Sequence, residues 1–296
     1  MVPFFMLDGF IDYLTTQKRF SEHTSLAYQK DVSQFHEFTE IDSLEGLKEV
    51  DSRLVRAWMV DLIDNDYVNN SVNRKLSSLR TYFKWLVKEQ YLESTPMQLV
   101  KGPKNQKRLP SFAQKKELEE TKTVNLFKDD FEGVRDRLVF EMFYQTGIRS
   151  SELIGLIDSD VGLNQIKVLG KRNKERIIPI SKYLFKLIEV YRSMRSELSV
   201  NHENFFVLNN GKKLYSKFVY RKINSYLGMA TGLEKKSPHV LRHTFATHML
   251  NNGAGLEVLK ELLGHASLSA TQVYTHNSFA EITSIYSQSH PRGKKN

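Results

Sequence analysis

The chain of 296 residues contains no cysteine. Disulfides, thiolate zinc sites and a cysteine nucleophile are therefore excluded, and the absence fits a reducing compartment. No run approaches the ~18 consecutive apolar residues that a membrane-spanning helix needs. The opening Met-Val-Pro-Phe-Phe-Met-Leu-Asp has neither a basic stretch nor a cleavage site, so no secretion signal is read there. No internal repeat or low-complexity tract stands out. These absences lead to the expectation of a cytoplasmic protein without membrane association.

What is present is enough for one large domain or two ordinary ones, with 40% hydrophobic residues to bury cores. The net charge is +9 and its distribution is uneven. Residues 1–68 hold 6 Lys+Arg and 13 Asp+Glu, whereas residues 69–110 hold 9 and 2. Residues 111–296 hold 28 and 19, so basic segments occur in both halves. That pattern points to a polyanion touched from two sides.

The N-terminal part is read as four or five short helices. Phe10, Ile11 and Leu14, then Leu26, Tyr28, Val32, Phe35 and Phe38, fall at helical spacing. Ser21-Glu-His-Thr24 is a helix start, since hydroxyl oxygens take up free N–H groups. Further helices are expected over about 51–65 and 71–89. The last carries Arg80, Lys84 and Lys88 on its polar side, with Arg74 and Lys75 near its start and only Glu89 as an acidic neighbour. A stripe of that length, about 12 Å, can follow phosphates in a groove, so Arg74, Lys75, Arg80 and Lys84 are expected to contact DNA. A stretch rich in lysine and arginine, with Gly102, Pro103 and Pro110, reads as a linker over 101–114.

Beyond the linker, helices are expected over about 115–147. Gln165–Leu169 and Arg176–Ile180 are read as strands of a hairpin with a charged tip. Helices are expected again at about 182–199, 214–230, 239–252, 255–264 and 278–288. The class is mainly α with a small antiparallel β-sheet.

Several segments concentrate groups suited to phosphoryl transfer. His239 and Arg242 are three apart and share one helix face. Pro238 suits a first helical position, which puts both in the first turn, where free N–H groups favour an anion. Arg149 lies in Thr146-Gly-Ile-Arg149-Ser-Ser-Glu152. Leu262-Leu-Gly-His265 is read as a helix stopped by glycine. A second short helix follows, with Tyr274, one of 13 tyrosines, late in it. Six of the nine histidines fall in residues 239–290, which raises a zinc cluster. It is set aside because there is no cysteine and no His-Glu-x-x-His, and Arg242 would repel a cation. His243 and His248 are expected to be structural. Two arginines, two histidines and a tyrosine, with a lysine-tipped hairpin between them, can transfer a phosphoryl group without metal. The arginines neutralise phosphate oxygens, the histidines manage protons and the tyrosine hydroxyl attacks.

His239-Val-Leu-Arg242-His-Thr-Phe-Ala-Thr-His248, Leu262-Leu-Gly-His265 and Tyr274-Thr-His276 resemble the signature of tyrosine site-specific recombinases of the phage integrase family, and among these the Xer subfamily. Thr146-Gly-Ile-Arg149-Ser-Ser-Glu-Leu resembles that family's first arginine box, and Gly170-Lys171-Arg172-Asn-Lys174-Glu-Arg-Ile-Ile-Pro its lysine hairpin. His290-Pro-Arg292 resembles the Xer ending, and residues 24–92 the helical core-binding domain.

The resemblance implies a SAM-like core-binding domain over 1–100, the basic linker 101–114 and a catalytic domain over 115–296, arranged as a C-shaped clamp. It implies Tyr274 as nucleophile, forming a 3′-phosphotyrosine, and Arg149 and Arg242 as clamps on the scissile phosphate. His265 would donate a further hydrogen bond and His239 would help accept the tyrosine proton. Lys171 would protonate the leaving 5′-oxygen. Because Arg172 stands where the Xer pattern has a small residue, Lys174 is the alternative. Glu152 would brace the first arginine. No metal, other cofactor or ATP is implied. The partners implied are a double-stranded recombination site and three further protomers, identical or from a paralogous recombinase, with a septal DNA translocase as a possible activator. Exchange would pass through a Holliday junction and resolve chromosome dimers in a nucleoid-associated protein. An integrase of a mobile element with the same chemistry is the alternative. The tail from Ile282, with Ile285 and Tyr286 on one face, is expected to dock on a neighbouring protomer.

Overall fold

The computed structural model describes residues 4–105, 111–123, 126–170, 174–264 and 276–293. It divides into two units, Met1–Arg108 and Leu109–Asn296. Among the described residues no helix is long and apolar enough to cross a membrane.

The first unit is helical: α1 (Phe4–Asp12, continued by a π turn at Tyr13–Gln17), α2 (Glu22–Thr39), α3 (Leu44–Lys48), α4 (Ser52–Asp64) and α5 (Asn69–Lys88). Side-chain oxygens start three of them. Ser21 accepts from the Thr24 N–H, Ser43 from Gly46, and Asp51 from both Arg53 and Leu54. Each such cap is worth about 1 kcal/mol. α5 fills the centre with Val72, Leu76, Leu79, Tyr82, Phe83 and Leu86. Phe10 meets Tyr82 with ring centroids 5.1 Å apart, and Phe35 meets Trp58 at 5.3 Å. Val32 and Phe35 are buried as their spacing predicts, but Leu26 and Phe38 are exposed. At about 100° per residue, both sit some 120° around the helix from Val32, outside the apolar stripe.

The basic stripe on α5 also needs correction. Lys75 is buried, its ammonium 3.1 Å from Asp31 Oδ1 and 2.5 Å from Gln34 Oε1. Asp31, itself buried, also accepts from Ser78 Oγ at 2.7 Å and from Arg74. Lys75 is therefore part of an internal polar cluster and is not on the outer face. Arg74 is half-exposed, Arg80 donates to the Val100 carbonyl at 2.8 Å, and Lys84 is exposed. Asp31→Ala would leave the Lys75 ammonium buried without its counter-charge. A loss of about 3–5 kcal/mol in unfolding free energy is expected, measured by urea denaturation. A loss below 1 kcal/mol would assign Lys75 to solvent.

The second unit contains α6 (Lys115–Thr123), α7 (Phe131–Thr146), α8 (Ser150–Gly155), strands β1 (Gln165–Leu169) and β2 (Glu175–Pro179), α9 (Lys182–Arg195), α10 (Ser216–Ala230), α11 (Pro238–Asn251), α12 (Leu256–Leu263) and α13 (His276–Ser289). The strands pair antiparallel from Gln165 opposite Pro179 to Leu169 opposite Glu175. α7 is buried nearly all round and so lacks an amphipathic period. It stops at Gly147, where φ is +60° and a Cβ would come 2.6 Å from Phe245 and 2.7 Å from Leu263. Only glycine meets both conditions.

α13 closes on its own unit. Ile282 and Tyr286 are buried in the core shared with Phe245 and Leu262, and Tyr286 stacks on His290 at 5.3 Å. Within the single chain the apolar face of this helix is covered by its own unit. An apolar period says that a face is buried, not by what.

Candidate active site

The site is built around the C-terminal end of α12, whose last carbonyls have no partner within the helix. Three guanidinium groups take three consecutive carbonyl oxygens there. Arg176 Nε donates to Leu262 at 2.8 Å, Arg242 Nη2 to Leu263 at 2.7 Å, and Arg149 Nη2 to Gly264 at 3.1 Å. Arg242 Nη1 also donates to the Gly147 carbonyl. Arg149 and Arg242, 93 positions apart in the chain, are thus brought to adjacent carbonyls.

One carboxylate organises two of the three cations. Glu152 Oε1 accepts from Arg149 Nη1 at 2.7 Å and from Arg176 Nη1 at 2.9 Å. Its Oε2 accepts from Arg176 Nη2 at 2.8 Å and from the Arg149 backbone N–H at 2.8 Å. The last bond also caps the start of α8. Burial alone would raise the Glu152 pKa. The hydrogen bonds and charge of Arg176, then the bonds from Arg149, outweigh it and hold the group down at about 2. Burial, then the charges of Arg149 and Arg176, push Arg242 down to about 10. Three cations face one carboxylate, so the pocket keeps a surplus of positive charge. Each Nη carries two hydrogens, and one bond to a carbonyl leaves the other for an anionic ligand. Arg149 is one-third exposed and can use it.

The pKa of Glu152 lies below its ordinary value of 4.5. Its stabilisation is therefore full above about pH 4.5 and is lost as pH falls towards 2. Glu152→Gln is accordingly expected to lower the unfolding free energy at pH 7. The gap to the unsubstituted protein should narrow steadily below pH 4.5, as read from denaturant curves at several pH values. A gap that is constant with pH would contradict this.

His239 is exposed at the second position of α11 and lines a surface cleft of about 560 Å³ with Ser150, Tyr220 and Lys236. Pro238 begins the helix as expected, but Arg242 opens its second turn and does not sit in the first. His248 is buried against the Tyr144 hydroxyl at 3.1 Å, in keeping with a structural role. Lys171, His265 and Tyr274 lie outside the described residues. The residues that precede two of them are at the arginine cluster. A Cβ on Gly170 would lie 3.7 Å from Glu152 Oε1, and Gly264 accepts from Arg149. Lys174 is exposed, with its carbonyl accepting from the Gly170 N–H at 2.8 Å. Arg176 was not among the expected site residues. Its signal was its strand phase, since it shares a buried face with Ile178.

Residues 7–90 match the phage integrase N-terminal SAM-like domain, and residues 115–281 match the phage integrase family. The chain belongs to this family of tyrosine recombinases, enzymes that cut and rejoin DNA by transesterification. Tyrosine recombinase XerC of Listeria innocua is 37% identical over 289 residues, 96% of each chain. XerC of Staphylococcus aureus is 38% identical over 293 residues, 97% of each. In fold, the chain resembles the XerH site-specific recombinase bound to palindromic difH substrate, with TM-score 0.71, 20% identity and coverage of 95% of this chain and 94% of that one. It also resembles the Tn1549 transposon integrase in complex with transposon right-end DNA, with TM-score 0.68, 15% identity and coverage of 94% and 98%.

Proposed function

We propose that this chain is a Xer-type site-specific recombinase that breaks and reseals duplex DNA through a 3′-phosphotyrosine at Tyr274. The observation that carries the proposal is the pair Arg149 and Arg242 on adjacent carbonyls of one helix end, each with donors to spare. Planar guanidinium forks suit the non-bridging oxygens of a phosphate, where charge builds in the transition state. His265 adds a hydrogen bond to those oxygens. His239 helps remove the tyrosine proton, needed because a phenol with pKa about 10 is mostly protonated at neutral pH. Lys171 protonates the departing 5′-oxygen, and Lys174 meets the DNA backbone. The bond energy stays in the phosphotyrosine, so rejoining needs no ATP.

Similarity to XerC over 96% of the chain supports the cellular role. Four protomers, identical or paired with a paralogue, hold two recombination sites and exchange strands through a Holliday junction. The outcome is resolution of chromosome dimers at cell division, in the cytoplasm at the nucleoid, with a septal DNA translocase as activator. Arg74 and Lys84 contribute DNA-backbone contacts from the first unit.

The test is incubation with a nicked suicide duplex carrying a candidate dimer-resolution site, with EDTA present. A protein–DNA adduct resistant to detergent is expected. An adduct that forms only with Mg²⁺, or none at all, would overturn the proposal.

A further inference from the structure

The roles assigned above leave Arg176 without a task, although each of its three guanidinium nitrogens donates a hydrogen bond within the protein. Nε is on the Leu262 carbonyl at 2.8 Å, and Nη1 and Nη2 grip both oxygens of Glu152 at 2.9 and 2.8 Å. Its side chain is 5% exposed against 33% for Arg149, so it is not placed to meet a phosphate. The backbone at two glycines packs against the same group. A Cβ at Gly264 would lie 3.2 Å from Arg176 Nη1 and 3.3 Å from its Cδ, and one at Gly170 would lie 3.5 Å from Nη1. The guanidinium therefore cannot swing away, and Glu152 rests on a fixed fork. Glu152 in turn holds Arg149 by the side chain and by the backbone, at 2.7 and 2.8 Å.

We propose that Arg176 is a positioning residue for strand cleavage, acting through Glu152 to aim the Arg149 guanidinium at the scissile phosphate. The proposal rests on the assignment of Arg149 as a phosphate clamp. It requires arginine specifically. A lysine supplies charge but no planar fork, and would leave the Glu152 carboxylate free to rotate. Misplacement of a phosphate-binding group by about 1 Å costs roughly 100-fold in rate.

A double-mutant cycle separates this role from a merely structural one. Single-turnover cleavage is measured for the unsubstituted protein, Arg176→Met, Arg149→Ala and the double variant, beside the duplex affinity of each. The suicide duplex carries sulfur as the bridging 5′ atom, a better leaving group that keeps slow variants measurable. Arg176→Met is expected to cleave about 100-fold more slowly with affinity unchanged. In the Arg149→Ala background it is expected to change the rate by no more than about twofold. Losses that multiply would overturn the proposal. If Arg176→Met does not fold, Arg176→Lys takes its place in the cycle, and cleavage by that variant at the unsubstituted rate would likewise overturn it. Tyr274→Phe is run in parallel. An adduct lost there while the two arginine losses multiply defeats only the positioning role, whereas cleavage by Arg149→Ala at the unsubstituted rate defeats the clamp assignment on which it rests, and an adduct that persists in Tyr274→Phe defeats the nucleophile assignment.

Discussion

Tyr274→Phe is expected to abolish covalent attachment to DNA, with a fall in strand cleavage on the order of 10⁶-fold, the scale seen when an enzyme loses its nucleophile. The substitution deletes one oxygen and keeps the ring, so duplex affinity should not change. Affinity comes mainly from contacts to the phosphate backbone, which phenylalanine leaves in place. The two readouts are a mobility shift for binding and a detergent-resistant band for cleavage. A variant that binds and still forms the band would remove Tyr274 from the chemistry. One that neither binds nor cleaves would show that the hydroxyl has another duty.

Arg242→Ala should have the next largest effect. The side chain spans two carbonyls, Gly147 and Leu263, and its position beside Arg149 builds the positive surplus of the pocket. Its pKa of about 10 still leaves it a cation throughout the physiological range. Loss of a guanidinium that stabilises transferring phosphoryl charge lowers rates by roughly 10³–10⁵-fold, and that range is expected for cleavage here. Two partly buried carbonyls would also lose donors, at about 1–3 kcal/mol. A fall in rate alone would therefore be ambiguous. A duplex with a neutral methylphosphonate at the scissile position resolves it, because a neutral group develops less charge for Arg242 to offset. Arg242→Ala should recover much of its cleavage on that substrate, whereas Tyr274→Phe should recover none. No recovery by Arg242→Ala would mean that the arginine acts by holding the fold.

Much of this architecture was legible as local chemistry. Ser21 starts α2, Pro238 starts α11, and the hairpin strands fall within one residue of their expected limits. Caps, prolines and period-2 alternation are local signals, and local structure obeys them. The misreadings have a common origin in tertiary partners. Lys75 was placed with Arg80 and Lys84, yet at about 100° per residue it points opposite to Lys84. The partner it finds instead, Asp31, lies 44 positions away. The apolar face of α13 was correctly read as destined for burial, and within the single chain its cover is its own unit. In the site, Glu152 was rightly expected to brace Arg149. Arg176 was passed over because a charged residue that follows Glu175 and opens the expected strand reads as the edge of that strand. Only its buried phase, shared with Ile178, marks it as internal. α7 gave no helical period because it is buried nearly all round.

The most direct measurement is the identity of the linked atom. The adduct formed on a suicide duplex is digested with trypsin, and the peptide attached to DNA is sequenced by mass spectrometry. A peptide carrying phosphotyrosine at Tyr274, joined to the 3′ end of the cut strand with a free 5′-hydroxyl on the other fragment, is the predicted result. Attachment at another residue, a link to the 5′ end, or cleavage that leaves unlinked 5′-phosphate and 3′-hydroxyl ends would contradict the mechanism.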